Sequence, residues 1–382
     1  MARAGVAWWQ ILPLAPPDAF GSPYASPSAF ALDPALLAAP DATVLTAESR
    51  AFRVRNAAWI EGHLERFGGH TLDEQVRVER EWSDLRAYAA RRGVRVLGDL
   101  PIYVAHGGVE HAAHPQLFLD GFVGGVPPDL FTDEGQRWGN PVYDWDAHAR
   151  EGYTWWIARL ARGASLADRV RLDHFRGFAE YWAVPTDAPT ARDGHWRSGP
   201  GKALFGAVER ALGGLPFVAE DLGVITPDVD ALRDGLGLPG MRVAQFGFDG
   251  NPENPHLPAN APVSSVAYTG THDNATLVSW FDSLGDDVRP QIEHVARGHD
   301  SWGLIAAVMA SDASVAILPM QDVLGLGAQA RMNTPGTTVG NWQWRVPAAA
   351  FDLELADCLG ALISATRRNR SHGASWSPPG PR

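Results

Sequence analysis

A short apolar run that ends on polar residues recurs along this chain, with helix-patterned sequence between several of the runs. That repeat limits the fold more than any single motif. The runs occupy 7–14, 94–104, 170–173, 216–223, 240–249, 263–274 and 314–322. Ahead of the second, Thr71 and Glu74 have the spacing of a capping box, with Leu72, Val76, Leu85 and Ala89 as an apolar stripe. Gly93 then stands where such a helix would stop. Trp155, Trp156, Ile157 and Leu160 share helical spacing before the third run, and Thr226-Pro227 opens a helix that Gly235 closes. A further helix is expected near 301–311. Helix and strand in repeated alternation predict a parallel α/β protein. A (β/α)8 barrel gathers its functional groups at the carboxyl ends of its strands, and these runs end in polar residues. A doubly wound open sheet is the alternative, but no G-x-G-x-x-G or Walker sequence is present to seat a nucleotide in one.

The run 170–173 carries the chemistry most clearly. Val170 and Leu172 alternate with Arg171 and Asp173, so the two charges point the same way at a strand's end. Buried charge is expensive unless it is paired, and an isolated Arg-x-Asp would read as a structural ion pair. Glu220 and Asp273 end later runs in the same manner, Asp99 lies inside the second, and Asp249 closes the fifth. Two loops join them. The Gly/Pro/Ser stretch 20–30 could hold Ser22 and Tyr24 over a site, or be a mere connector. The stretch 124–141 reads as a long loop that presents Phe131, Gln136, Trp138 and Asn140 as a substrate-gripping lid, with a structural Ω-loop as the competing view. His106, Glu110, His111 and His114 match no metal-ligand spacing, so no metal is expected there.

Composition narrows the partners. A net charge of -12 argues against nucleic acid or an anionic membrane surface. No stretch approaches the roughly 20 apolar residues that span a bilayer. The opening 1–9 reads as a buried strand rather than a signal peptide, because Gln10 and Pro13 interrupt the apolar run. One cysteine, Cys358, excludes an intrachain disulfide framework and fits a reducing, cytoplasmic setting. The 15 Trp would serve a core or the faces of sugars. Strand-end acids with aromatics and no cofactor motif point to glycosidic chemistry, in which retaining enzymes place two carboxyls about 5–5.5 Å apart. A Ser/His/Asp hydrolase fits less well, since there is no G-x-S-x-G elbow.

The residues of these runs resemble the amylomaltases, the 4-α-glucanotransferases or disproportionating enzymes. The likeness is carried by Arg171-Leu172-Asp173-His174-Phe175-Arg176-Gly177, Ala219-Glu220-Asp221-Leu222-Gly223 and Thr271-His272-Asp273-Asn274. It extends through Trp9-Gln10-Ile11-Leu12-Pro13-Leu14, Ser22-Pro23-Tyr24, Gly98-Asp99-Leu100-Pro101-Ile102 and Gly125-Val126-Pro127-Pro128-Asp129. It continues through Gln136-Arg137-Trp138-Gly139-Asn140-Pro141, Arg331-Met332-Asn333-Thr334-Pro335-Gly336-Thr337 and Gly340-Asn341-Trp342. The resemblance implies Asp173 as nucleophile, Glu220 as general acid/base and Asp273 as the acid that holds the distorted sugar. It implies Arg171, His174, His272, Asp99 and Tyr24 around the same glucose, and Phe131, Gln136 and Trp138 over the donor chain. Ser22, Asn140, Asp249 and Asn341 join the expected binding residues. The implied partners are α-1,4-glucans and maltooligosaccharides, with no cofactor; an α-glucan hydrolase or a glucan-binding degenerate relative is the alternative.

The implied fold is a glycoside-hydrolase (β/α)8 TIM barrel as a single domain over 1–382, with insertions reduced near 41–70 and 106–145. Family members begin earlier, and closure takes eight strands of matched tilt and shear. A barrel lacking its first strand and helix is therefore expected, with a gap between 7–14 and 314–322 and two exposed edges.

Overall fold

In a computed structural model of the chain, residues 1–128, 133–285, 288–296, 301–366 and 368 are described. In chain order the strands are β1 (Trp8–Gln10), β2 (Arg95–Leu100), β3 (Phe118–Val126), β4 (Gln136–Tyr143), β5 (Arg169–Leu172) and β6 (Glu180–Pro185). They continue with β7 (His195–Ser198), β8 (Phe217–Ala219), β9 (Gly240–Val243), β10 (Ser265–Tyr268) and β11 (Val315–Ile317). Each of the expected runs contains a strand, but a shorter one. The run 240–249 narrows to β9, which leaves Asp249 beyond it.

Two compact units make up the chain. The larger comprises Ile11–Arg91 and Val96–Leu236. In it β2, β5 and β8 form a parallel ladder, with Asp99 opposite Arg171 and Arg171 opposite Val218. Val96, Leu97, Val170, Leu172 and the whole of β8 are buried, the apolar run demanded of strands covered on both faces. The helix Thr154–Leu166 feeds β5 and buries Trp155, Trp156 and Leu160, as its spacing predicts.

Three local expectations need correction. The stretch 124–141 is not a long loop: β3 and β4 pair antiparallel there, and β6 and β7 extend them into a sheet of order β4-β3-β6-β7. The stretch 41–70, in which no helix was expected, holds two, Thr46–Arg55 and Ile60–Phe67. The helix Thr71–Ala90 forms, but Thr71 is its first helical residue rather than its cap, and its hydroxyl donates to the Gly68 carbonyl at 2.8 Å. Its buried face runs through Val76, Val78 and Trp82, while Leu85 is exposed.

The smaller unit comprises Met1–Gln10, Arg92–Arg95 and Gly237–Arg382. Its parallel sheet has the order β11-β10-β9, with Val266 opposite both Val315 and Met241. Leu304, Ile305 and Val308 of the helix Ser301–Ala310 fill the core beside it. β1 lies beside β11, with no ladder between the two among the described residues.

Candidate active site

The ladder of β2, β5 and β8 sets the acidic residues of the larger unit side by side. Asp99 is the penultimate residue of β2, and Asp173 and Glu220 are the first residues beyond β5 and β8. The Asp173 amide donates to the Leu100 carbonyl at 3.0 Å and the Glu220 amide to the Leu172 carbonyl at 3.1 Å, which prolongs the pairing past each strand. Arg171 joins two of the acids. Its Nη1 donates to both oxygens of Asp99 at 2.9 Å, and its Nη2 lies 2.9 Å from Asp173 Oδ1. The Tyr24 hydroxyl donates to Asp99 Oδ2 at 2.6 Å, and Ser22 Oγ accepts the Tyr24 amide at 3.3 Å, which aims the ring. The Asp99 side chain is 0% exposed and that of Asp173 27%, so Asp173 is the one a ligand can reach. Burial alone would lower the Arg171 pKa, but Asp99 and Asp173 reverse this and keep it charged. Burial, then Asp99, hold the Tyr24 phenol neutral.

Glu220 has a different setting. Its Oε1 accepts the Leu222 amide at 3.0 Å and its Oε2 the His174 amide at 2.6 Å. Burial pushes this carboxyl up to about 7; Asp173 adds to the rise, while Arg171 and the two amides oppose it. His174 makes its bond by adopting the left-handed region, φ 49° and ψ 51°, which is uncommon for a residue with a side chain. A Cβ on Gly177 would sit 2.6 Å from Ile102 Cδ1 and 3.3 Å from His174 Cδ2, so a side chain there would have to push the end of Ile102 aside. The His174 ring is neutral, its pKa pushed down to about 3 by burial and by Arg176. Trp138 meets that ring edge-on at 4.8 Å and donates from Nε1 to Gln136 Oε1 at 3.1 Å. Asn140 ties β4 to the Val104 carbonyl at 2.9 Å. Phe131 lies outside the described residues.

The smaller unit carries the other predicted residues. His272 Nε2 lies 3.3 Å from Asp273 Oδ2, and Asn333 Nδ2 donates to Asp273 Oδ1 at 2.6 Å. Arg331 donates to the Asp273 carbonyl at 2.7 Å, and Trp342, also at positive φ, packs 5.6 Å from the His272 ring. The loop bearing His272 and Asp273 is braced at both ends by the buried Asp322. That carboxylate accepts the Thr269 hydroxyl and the Leu277 amide, each at 2.7 Å. Asn341 is engaged in its own loop: its amide donates to the Thr337 carbonyl and accepts from the Thr334 amide. Asp249 is exposed and accepts the Asn251 amide in a turn.

Asn333, Arg331 and Asp322 were not legible as site residues. Asp322 ends the last run without having been singled out, and the first two lie in a stretch that carries the family likeness. Among the described residues no group of three His, Cys, Asp or Glu could hold a metal ion. Glu110 is instead buried, and accepts the Ser28 hydroxyl at 3.2 Å.

The arrangement supports a two-carboxyl chemistry. Asp173 is partly exposed beside a fixed cation, and Glu220 is poised to hold a proton near neutral pH, two environments that push the roles of two acids apart. Carboxyl pairs of this kind on a parallel α/β ladder are the equipment of the glycoside-hydrolase barrels. This chain belongs to the 4-alpha-glucanotransferase family, glycoside hydrolase family 77, whose profile matches residues 70–350. It is 49% identical over 292 residues to the chloroplastic/amyloplastic 4-alpha-glucanotransferase of Arabidopsis thaliana, covering 74% of this chain and 51% of that one. It is 38% identical to the 4-alpha-glucanotransferase of Thermus thermophilus, covering 96% and 93% of the two chains. The amylomaltase of Streptococcus agalactiae, solved in complex with acarbose, matches with a TM-score of 0.87 at 29% identity, over 96% of this chain and 93% of that one. The fold is thus the α/β barrel class of the glycoside hydrolases. The chain spans about half the length of the first plant relatives it matches. No helix among the described residues is long and apolar enough to cross a membrane.

Proposed function

We propose that this chain is a 4-α-glucanotransferase that moves α-1,4-glucan segments between maltooligosaccharides by a retaining double displacement. The observation that carries the proposal is the coupling of Asp173 to Glu220 across β5 and β8. The residue after Asp173 donates its amide to Glu220, whose carboxyl is raised toward neutrality. Asp173 would attack the anomeric carbon and form a glycosyl ester while Glu220 gives its proton to the departing 4-oxygen. Glu220, now ionised, would take the proton of an acceptor's 4-hydroxyl as that oxygen displaces Asp173. Transfer rather than hydrolysis follows when the acceptor outcompetes water. Asp273, oriented by Asn333, is assigned to the distorted sugar. Arg171, His174, Asp99 and Tyr24 of the larger unit are assigned to one glucose, and Gln136 and Trp138 to the donor chain; His272 is assigned a sugar contact beside Asp273. The acarbose complex of the streptococcal relative supports an oligosaccharide site of this type. A cytoplasmic setting belongs to the same proposal.

Maltotriose tests it. The wild-type chain is expected to release glucose and build longer maltooligosaccharides, and Asp173→Asn to lose essentially all turnover while folding normally. A folded Asp173→Asn protein that keeps more than a trace of transfer would overturn the nucleophile assignment. Glucose release without chain elongation would make the chain a hydrolase.

A further inference from the structure

We propose that Arg159 is a positioning residue: it holds the end of β2 so that Asp99 can fix Arg171 against the Asp173 and Glu220 pair. Arg159 lies on the helix Thr154–Leu166 and is 2% exposed. Its Nη1 donates to the Ile102 carbonyl and to the Tyr143 hydroxyl, each at 2.8 Å. Its Nη2 donates to the Pro101 carbonyl, and to the Tyr103 carbonyl at 3.3 Å. The Tyr143 hydroxyl itself donates to the Ile102 carbonyl at 2.8 Å. Three consecutive carbonyls just after Asp99 and Leu100 are thus gathered on one guanidinium. They need such a donor, because the chain leaves the ladder here and buried carbonyls must be paired. The guanidinium packs over the rings of Trp156 at 5.1 Å and Trp155 at 5.4 Å, which set its plane.

A cation buried against carbonyls and a phenol is a poor source of stability, since removing a charge from water is costly even when hydrogen bonds replace it. What it supplies is geometry. Asp99, two residues before Pro101, holds Arg171 with both oxygens, and Arg171 reaches Asp173. The groups that act on the Glu220 carboxyl in this unit are Arg171, Asp173 and the amides of His174 and Leu222, with Asp99 and Tyr24 behind Arg171. Loosening the end of β2 frees Arg171 from its anchor. Burial and Asp173 then act on Glu220 with less opposition, and it titrates higher.

The test uses the full chain labelled with δ-13C-glutamate, the Glu220 resonance being identified by its loss in Glu220→Gln. Arg159→Lys keeps the charge but not the fork. It is expected to raise the Glu220 titration midpoint by roughly one pH unit, and to lower kcat at pH 6 by about tenfold or more. The alkaline limb of kcat/KM should move up with the midpoint. A folded Arg159→Lys protein with an unmoved midpoint and limb would show a merely structural arginine and overturn the proposal. Should Arg159→Lys not fold, Tyr143→Phe decides: a smaller upward shift of the midpoint supports the proposal and an unmoved one overturns it. The kinetic arm rests on the transferase function proposed above, but the NMR arm does not. A wild-type chain inert toward maltotriose would therefore sink that function and leave the Glu220 midpoint to judge Arg159.

Discussion

At the scale of single residues, Glu220 concentrates the conflict between stability and chemistry. Its pKa, ordinarily near 4.5, is raised to about 7, so the folded state prefers the protonated form. Stability from this group is fully present below pH 4.5 and is lost as pH rises through about 7. The loss is at most about 3 kcal/mol. Glu220→Gln is therefore expected to abolish transfer and to gain melting temperature relative to wild type between pH 5 and pH 8. Melting curves at the two pH values check this, and a difference that does not grow with pH would show that Glu220 is ionised throughout. The Arg171–Asp173 pair was legible because alternation at period two puts both charges on one side of β5. That Asp99 takes the other half of Arg171 was not, since it depends on the register of β2 against β5. The left-handed backbone of His174 was equally hidden, because its amide bonds Glu220 and its carbonyl accepts the Gly177 amide, contacts that local propensity does not specify.

At the scale of elements, the sheet β4-β3-β6-β7 was the main misreading, and its glycines explain why. Gly124 and Gly125 read as loop punctuation, yet each occupies a strand position where another group comes close. A Cβ on Gly124 would lie 2.9 Å from the Tyr103 ring, and one on Gly125 2.3 Å from the Gln136 carbonyl oxygen. Gly125 lets β4 lie close to β3, and β4 carries Trp138, bonded to Gln136, to the His174 ring. Gly125→Ala should cost about 2 kcal/mol through overpacking. It should also raise KM for maltotriose by more than it lowers kcat, because Asp173 and Glu220 hang on other strands. Thermal melting with Michaelis kinetics checks both parts; a loss confined to stability would mean that β4 does not present Gln136 and Trp138 to the donor. By contrast, β2, β5 and β8 were legible, since strands covered on both faces must be apolar along nearly their whole length.

At the scale of the whole molecule, the seven strands that the apolar runs mark were readable in order, but the pH response was not, because it depends on which ionisable groups are buried. His63 and His148 are pushed down to about 4, and His174 to about 3, in each case chiefly by burial. A base held neutral in the fold stabilises above its ordinary pKa near 6.5, and that stability is lost as pH falls toward the folded value. Glu220, Glu110 and Asp322 are shifted up by burial and act in the opposite sense as pH rises. The two sets oppose each other across the same interval, so the wild-type profile should be flatter than either set alone would give. Removing one member exposes the other. His148 is the cleanest to remove: it is fully buried among Tyr143, Trp145 and Trp155, away from the strand-end acids in its contacts. His148→Gln removes the ionisable ring and keeps a polar side chain at the position. Relative to wild type, its unfolding free energy should be higher at pH 4.5 than at pH 7, by up to about 3 kcal/mol. Urea titrations at the two pH values measure the difference, and an equal effect at both would mean that His148 titrates in the fold as it does in the unfolded chain.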